Sequence, residues 1–244
     1  MAGGGSLLTV PIMLFMGMPG AVANGTNRIA IVAQNITAVT AFFRRGFSDF
    51  KLSISLALAA LPGAIVGALV GTEVSGQWFN RLVALVMIVV MVLMAMPELT
   101  NKQGKSKGAR SKDNKSQPNE NIEAPTTKRL ITGHLCMVGA GFWGGFIQIG
   151  VGFLFMPILH RVMGLDLVRV NMHKVFIVLS YSLVALLIFA SRVEVLWIAG
   201  LCLALGNAIG GWIGANMSVS RGEKLIKRVL NLVLLVFIIK LLFF

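Results

Sequence analysis

Charged residues are scarce in this sequence. They make up 13% of its 244 residues, whereas hydrophobic residues make up 56% and the mean hydropathy is +0.82. Soluble domains carry roughly 25% charged residues, so this composition excludes a sizeable soluble domain. A membrane helix needs about 20 mostly apolar residues to cross about 30 Å of hydrocarbon, so the chain has room for about eight or nine passes.

Cysteine is equally scarce, and carboxylates are missing from the middle of every apolar segment. Cys136 and Cys202 fit neither a disulfide framework nor a zinc site. Outside one central linker, the acidic residues lie near segment ends, at Asp49, Glu73, Asp166, Glu194 and Glu223. Sodium sites and proton relays in membranes usually need carboxylates at greater depth. We expect no metal site and no cofactor, and without a nucleophile cluster we expect no enzyme.

The formal net charge of +13 does not point to nucleic acid. Eight of the 22 Lys and Arg residues lie in one polar stretch, 98–129, and most others lie near ends of apolar segments. This placement is typical of the basic residues on the cytoplasmic side of membranes. We expect 98–129 to be a disordered cytoplasmic linker between a first transmembrane repeat, 1–97, and a second, 130–244. A lipid- or partner-binding linker is the alternative.

An internal repeat organises the apolar segments. They lie at about 6–17, 21–43, 50–71, 78–97, 130–146, 148–163, 170–190, 195–216 and 225–243. A shift of 146–147 residues aligns Val10-Pro11 with Met156-Pro157, Gly17 with Gly164, Asn24 with Asn171, Arg45 with Arg192, Gly63 with Gly210, Gly67 with Gly214, and Arg81 with Arg228. Chance rarely aligns so many unlike landmarks at one offset, so two homologous halves are predicted.

Basic residues also predict how the halves are oriented. With the linker inside, Arg44 and Lys51 are cytoplasmic, and five passes in the second half place Arg192 outside. An odd number of passes inverts the second half, as is common in secondary transporters. The predicted fold is an all-α polytopic membrane protein of two inverted helical repeats with about nine passes (eight to nine), some short or discontinuous. The first half has no counterpart of 130–146, so we expect it to begin one helix late.

Two apolar segments contain polar residues where lipid would penalise them. The residues are Asn24, Thr26, Asn27, Arg28, Gln34 and Asn35 in the first half, and Asn171, His173 and Lys174 in the second. Intramembrane charges cost at least about 2.5 kcal/mol, so Arg28 and Lys174 are expected to face a cavity. Snorkelling to the interface is the alternative for both. The amides can instead hold helices together, which we prefer for Gln34, and a packed polar role is the alternative for His173.

Glycine-rich stretches precede a proline in each half. AGGGSLLTVP and FWGGFIQIGVGFLFMP occupy corresponding places. Free N–H groups at such helix starts can bind an anion, and close helix packing is the alternative. Glycines four residues apart, Gly63 with Gly67 and Gly210 with Gly214, favour packing.

The run AGGGSLLTVPIMLFMGMPGAVANGTN, the following FFRRG and the second glycine-proline copy resemble the TauE/SafE sulfite exporter family. The resemblance covers the chain outside the linker and implies a two-half transporter that moves sulfite, sulfonates or related organosulfur anions outward. The anion region that it implies consists of Gly3, Gly4, Gly5, Asn24, Thr26, Gln148, Gly150, Asn171 and His173. Charge placement adds Arg28 and Lys174. Asn35 is added because it shares a helix face with Asn24 and Arg28, and Asn27 because it lies beside that face. Because the second half reads NMHK where the first reads NGTN, an asymmetric site is expected.

These features favour a bacterial inner-membrane transporter that exports a small sulfur-containing anion through a midplane site between the repeats. The expected partners are that anion and the lipid bilayer, with no nucleic acid, and a homo-oligomer is left open. An anion channel, or a non-transporting membrane scaffold that acts through the basic linker, is the alternative.

Overall fold

The computed structural model describes residues 5–44, 46, 49–74, 76–95, 127–221 and 232–240. These residues form helices joined by short turns, and none of them forms a β-strand. The helices are α1 (Gly5–Phe15), α2 (Gly20–Arg44), α3 (Phe50–Glu73), α4 (Gly76–Ala95), α5 (Thr127–Phe146), α6 (Val151–Pro157), α7 (Leu167–Arg192) and α8 (Trp197–Arg221). A π-helix, Ile158–Val162, continues α6, and residues 232–240 are also helical. The all-α prediction is confirmed for these residues.

Helix bounds follow the predicted apolar segments closely. From α1 to α8, with the π-helix counted as part of α6, bounds lie within three residues of their predictions, except that α8 ends five residues later. The linker was predicted to extend to residue 129, but α5 begins at Thr127, so its last three residues are helical. The rest of the linker, 98–126, lies outside the described residues, as do Gly3 and Gly4.

Helix starts recur at the offset found in the sequence. α2 and α7 begin 147 residues apart, and so do α3 and α8. The turn before α2 contains Gly17 at a φ of 83°, and the turn before α7 contains Gly164 at a φ of 77°. A side chain would be strained at these angles, so glycine suits both turns for the same steric reason.

The corresponding helices α2 and α7 run in opposite directions. Gly25, near the start of α2, lies against Phe189 near the end of α7. At the other end of the pair, Val39 of α2 lines the same small cavity as Phe176 of α7. This antiparallel arrangement is the one that an inverted repeat requires.

Glycine allows α3 and α5 to pack with their backbones close together. Gly63 and Gly67 of α3 face the backbone of Val138 and Phe142, and Gly141 of α5 faces the carbonyl group of Ala60. A Cβ at any of these glycines would overlap the facing backbone. The predicted packing role of Gly63 and Gly67 is therefore confirmed. Gly210, the counterpart of Gly63, has no atom within 4 Å of its Cβ position among the described residues.

The helical path breaks between α5 and α6. Residues 147–150 turn the chain, with Gln148 at a φ of 67° and Gly150 at 71°. The helix that follows contains Pro157, which lacks an N–H group, at the point where the α-helix becomes a π-helix. Proline removes one α-helical hydrogen bond, which accounts for a change of helix type at this position.

Large apolar side chains cover much of the described surface. Ile198 is 82% exposed, Leu135 is 73% exposed and Leu187 is 71% exposed. By length and hydropathy, α3 and α7 could each cross a membrane. α2 is long but less apolar, because it contains several polar residues. Most of these polar side chains are buried in the protein. Exposed apolar patches of this extent are typical of a surface in contact with lipid or other protein.

Candidate substrate site

The polar run of α2 is buried in the protein. Asn24, Thr26, Asn27 and Arg28 are 0% exposed, and Asn35 is 9% exposed. Buried polar groups are strongly destabilising without hydrogen-bond partners, and more so in a membrane, where no water replaces a missing partner. The partners of these side chains therefore define what the run does.

Arg28 and Asn24 bind the end of α5. Arg28 Nη1 donates to the Gly144 carbonyl at 3.2 Å and Nη2 donates to the Gly145 carbonyl, while Asn24 Nδ2 donates to the Phe146 carbonyl at 2.7 Å. The last carbonyls of a helix have no partner within the helix, and they carry its partial negative charge. The helix end thus binds the buried cation without a carboxylate, while Arg28 Nε has no hydrogen-bond partner among the described residues. Arg28 also packs against the Phe189 ring, with Cζ 4.5 Å from the ring centre.

Thr26 and Asn27 bind two further helices. Thr26 Oγ1 accepts the backbone N–H of Leu196, directly before α8, at 3.1 Å. Asn27 Oδ1 accepts the Thr9 hydroxyl of α1 at 2.6 Å. The first four polar residues of α2 therefore connect this helix to α1, α5 and α8. Arg28 was expected to face an anion, and the described structure instead directs its bonded donors at α5 and Gln148.

A cavity of about 510 Å³, including the part open to the outside, lies further along α2. It is lined by Ser6, Ile31, Gln34, Asn35, Gln148, Val151, Gly152, Lys174, Val175 and Val178. The start of α1 supplies Ser6, and the start of α6 supplies Val151 and Gly152. Two short helices thus begin at this cavity, between the facing sides of α2 and α7.

The two walls of the cavity contain residues at the 147-residue offset of the predicted repeat. Ile31 of α2 and Val178 of α7 are 147 residues apart, and both line the cavity. Arg28 and Val175 are also 147 residues apart, but only Val175 lines the cavity. The cavity therefore lies between corresponding helix faces that differ in their polar side chains.

Lys174 is the only charged residue among the described residues that line the cavity. It is 5% exposed, and its Nζ donates to Asn171 Oδ1 at 2.8 Å. The other polar lining groups are uncharged: Ser6, Gln34, Asn35 and Gln148. One cation, several neutral donors and the N–H groups at the start of α1 give the cavity a positive electrostatic character.

Two predicted site residues of α7 do not line this cavity. Asn171 acts through Lys174, and its own Nδ2 donates to the Leu167 carbonyl at 3.0 Å. His173 is 0% exposed, and its Nδ1 lies 2.8 Å from the Ser53 hydroxyl of α3. His173 Nε2 has no hydrogen-bond partner among the described residues. The pair connects α7 to α3.

The remaining predicted positions divide between the cavity and its surroundings. Asn35 and Gln148 line the cavity, and Gly5 begins α1 beside the lining residue Ser6. Gly150 lines a separate apolar groove with Trp143. Sequence reasoning omitted Ser6 and assigned Gln34 to helix packing, although both line the cavity. Proximity to the glycine-rich start of α1 could have identified Ser6.

Comparison with known proteins identifies the family. The model of the family described as "Sulfite exporter TauE/SafE" matches residues 1–241. The chain belongs to the TauE/SafE family. A TauE/SafE chain is a membrane transporter, so membership agrees with the exposed apolar helices and with a polar cavity between them.

Similarity to known proteins extends over nearly the whole chain. "Probable membrane transporter protein ORF9" of Sinorhizobium sp is 27% identical over 99% of this chain and 85% of its own length. "Probable membrane transporter protein YfcA" of Escherichia coli K12 is 27% identical over 99% of this chain and 83% of its own length. "Probable membrane transporter protein YunE" of Bacillus subtilis is 22% identical over 95% and 87%. These names specify transport and no substrate, and no solved structure matches the chain.

Proposed function

We propose that this TauE/SafE chain exports a small sulfur-containing anion, such as sulfite or a short organosulfonate, across the bacterial inner membrane. The observation that carries the proposal is the cavity, where two short helices begin beside Lys174 and no carboxylate lies among the described lining residues. The description of the family supports the class of substrate.

The chemistry of the lining groups suits an oxyanion with a small apolar part. Backbone N–H groups at the start of α1 and the side chains of Gln34, Asn35 and Gln148 can donate to anion oxygens. Lys174 supplies a full positive charge at the same place. Ile31 and Val178 form an apolar part of the wall, which can contact a sulfonate's hydrocarbon.

The proposed architecture is a pair of inverted repeats, 1–97 and 130–244, with about nine passes and a cytoplasmic linker at 98–129. Three observations support it: the helix starts that recur after 147 residues, the antiparallel α2 and α7, and the placement of basic residues. In this arrangement the substrate lies between the repeats, and their relative movement opens the site to alternate sides.

The membrane potential can drive the proposed export. Moving one elementary charge across the membrane changes the free energy by about 2.3 kcal/mol per 100 mV. A monoanion that leaves a negative interior moves down its electrical gradient. The proposed export therefore needs no coupling ion and no carboxylate within the membrane to bind one.

Efflux from proteoliposomes loaded with sulfite or ethanesulfonate tests the proposal, with Lys174→Gln as the site variant. We expect saturable efflux and counterflow from the natural protein. Since a hydrogen bond to a charged group contributes about 1.5–3 kcal/mol, the variant should raise KM roughly tenfold or more. Lys51→Gln, which changes an exposed lysine of α3, is the matched control.

Three outcomes would contradict the proposal. Absence of efflux for both anions from folded natural protein would exclude the substrate class. Current that does not saturate would indicate a channel. Equal KM values for Lys174→Gln and Lys51→Gln would remove the lysine from the site.

A further inference from the structure

Gln148 occupies a strained position beside the cavity. Among the described residues, it is the only residue other than glycine with a positive φ, at 67°. Side chains are disfavoured in this region, and such strain clusters at functional sites. Gln148 is 2% exposed and lines the cavity at the break between α5 and α6. Glycine would fit this backbone with less strain, so the side chain itself calls for an explanation.

The amide of Gln148 has a defined orientation. Arg28 Nη1 lies 3.2 Å from its Oε1, and the Ser182 hydroxyl lies 3.5 Å from the same atom. A guanidinium group has donors and no acceptor, so the atom that faces it must be the amide oxygen. The amide nitrogen therefore lies on the other branch of the side chain, directed away from Arg28.

Arg28 is well suited to hold this orientation. Its other bonded donors bind the Gly144 and Gly145 carbonyls, and its guanidinium group packs on the Phe189 ring. These contacts come from two helices, α5 and α7, and the side chain is 0% exposed. Arg28 is thus held on several sides while it contacts Gln148.

We propose that Arg28, assisted by Ser182, is a positioning residue that turns the amide N–H groups of Gln148 toward the cavity, where they donate to the transported anion. The inference rests on the proposed function because it concerns the same cavity. It gives the buried arginine an indirect role: the cation binds no substrate and sets the direction of a neutral donor that does. Gln148 then selects ligands whose oxygens accept hydrogen bonds.

Ser182, which contacts Gln148, also has a counterpart at the cavity. Ser182 lies 147 residues after Asn35, which lines the cavity from α2. The α7 member of this pair thus contacts Gln148, and the α2 member lines the cavity directly. In the proposed arrangement, Gln148 at the break between α5 and α6 adds an amide donor to the site beside the residues of α2 and α7.

Gln148→Glu separates a binding role from a structural one. The substitution keeps the size of the side chain and still accepts from Arg28, but it replaces the amide donors by a second acceptor oxygen. A residue that merely pairs with Arg28 would tolerate it. If the amide binds the anion, the KM for sulfite and ethanesulfonate efflux from proteoliposomes should rise roughly a hundredfold or more, since one donor is lost and one charge repels. Gln77→Glu on an exposed face of α4 is the matched control.

Gln148→Gly and Arg28→Met test the positioning role. Gln148→Gly relieves the positive-φ strain, so its melting temperature should not fall, whereas its KM should rise roughly tenfold. Arg28→Met should raise KM in the natural protein, but it should add less than about a twofold change in KM when Gln148 is already glycine. This dependence separates positioning from the loss of stability that Arg28→Met also causes.

The outcomes distinguish this inference from the proposed function. If the natural protein moves neither anion, the proposed function is wrong, and the inference is wrong with it. If the natural protein transports and Gln148→Glu keeps its KM, only the role of the amide is wrong. If the effects of Arg28→Met and Gln148→Gly on KM multiply, Arg28 does not act through Gln148.

Discussion

At the scale of single residues, the buried polar groups of α2 mainly bind other parts of the backbone. Asn24, Thr26 and Arg28 each contact a main-chain group of another helix or of the residue before one. The sequence alone does not distinguish this role from ligand binding, because both place a polar residue inside an apolar segment. The sequence predicted that Arg28 lies inside an apolar segment. It did not predict the contact with Gly144, since 116 residues separate the two.

Asn24 gives a stability prediction at this scale. Asn24→Ala removes the donor to the Phe146 carbonyl, and Arg28 cannot reach that group with the donors already bonded to Gly144 and Gly145. An unsatisfied buried acceptor costs about 1–3 kcal/mol, and because the bond to the Phe146 carbonyl is part-buried the melting temperature in detergent should fall by a few degrees. Thr37→Ala, which removes an exposed hydroxyl bond within the same helix, is the control. Equal melting temperatures for the two variants would contradict the proposed bond between α2 and α5.

At the scale of helices, the apolar runs were sufficient to predict position and length. α3 was expected at 50–71 and occupies Phe50–Glu73, because a run of this length and hydropathy has few alternatives to a helix. The partners of each helix were harder to predict. The contact between α3 and α5 depends on two glycine patterns about 80 residues apart, and either pattern could have faced another helix.

The α3–α5 contact yields a prediction with a control on the same helix. In Gly141→Ala the new Cβ would overlap the Ala60 backbone, so the helices must separate or shift. Overpacking typically costs about 1–3 kcal/mol, and the thermal stability should fall accordingly. Gly139 lies on the same helix with no atom within 4 Å of its Cβ position, so Gly139→Ala should be neutral or stabilising by up to about 1 kcal/mol. Equal losses of stability would indicate a general requirement for glycine in α5 and would contradict close packing.

At the scale of the whole molecule, the cavity lies between α2 and α7, which are corresponding helices in the proposed repeat. Each half contributes a short helix that begins at the cavity and a long helix that forms one wall. Ile31 and Val178 are apolar lining residues at the 147-residue offset. Lys174 and the amide side chains have no such matching partner in the lining. The offset was readable from the sequence because it depends only on spacing. The cavity was not, because it depends on how two antiparallel helices meet.

The proposed inversion of the halves predicts that corresponding helix ends lie on opposite sides of the membrane. Two contacts show that α3 and α7 run in parallel: Ser53 meets His173 near their starts, and Glu73 meets Arg192 at their ends, at 3.3 Å. α2 runs antiparallel to α7, so the end of α2 at Arg44 and the end of α7 at Arg192 should lie on opposite sides of the membrane.

Single-cysteine labelling can measure this arrangement. In a background with Cys136→Ser and Cys202→Ser, we expect a membrane-impermeant maleimide to label Arg192→Cys in intact spheroplasts. Arg44→Cys should react only after permeabilisation, because the excess of basic residues predicts a cytoplasmic location for that end. Melting temperatures near that of the parent background would show that both variants fold. Labelling of both cysteines from the same side would contradict the inverted repeat, and the proposed exchange of access between the two sides would then lose its structural basis.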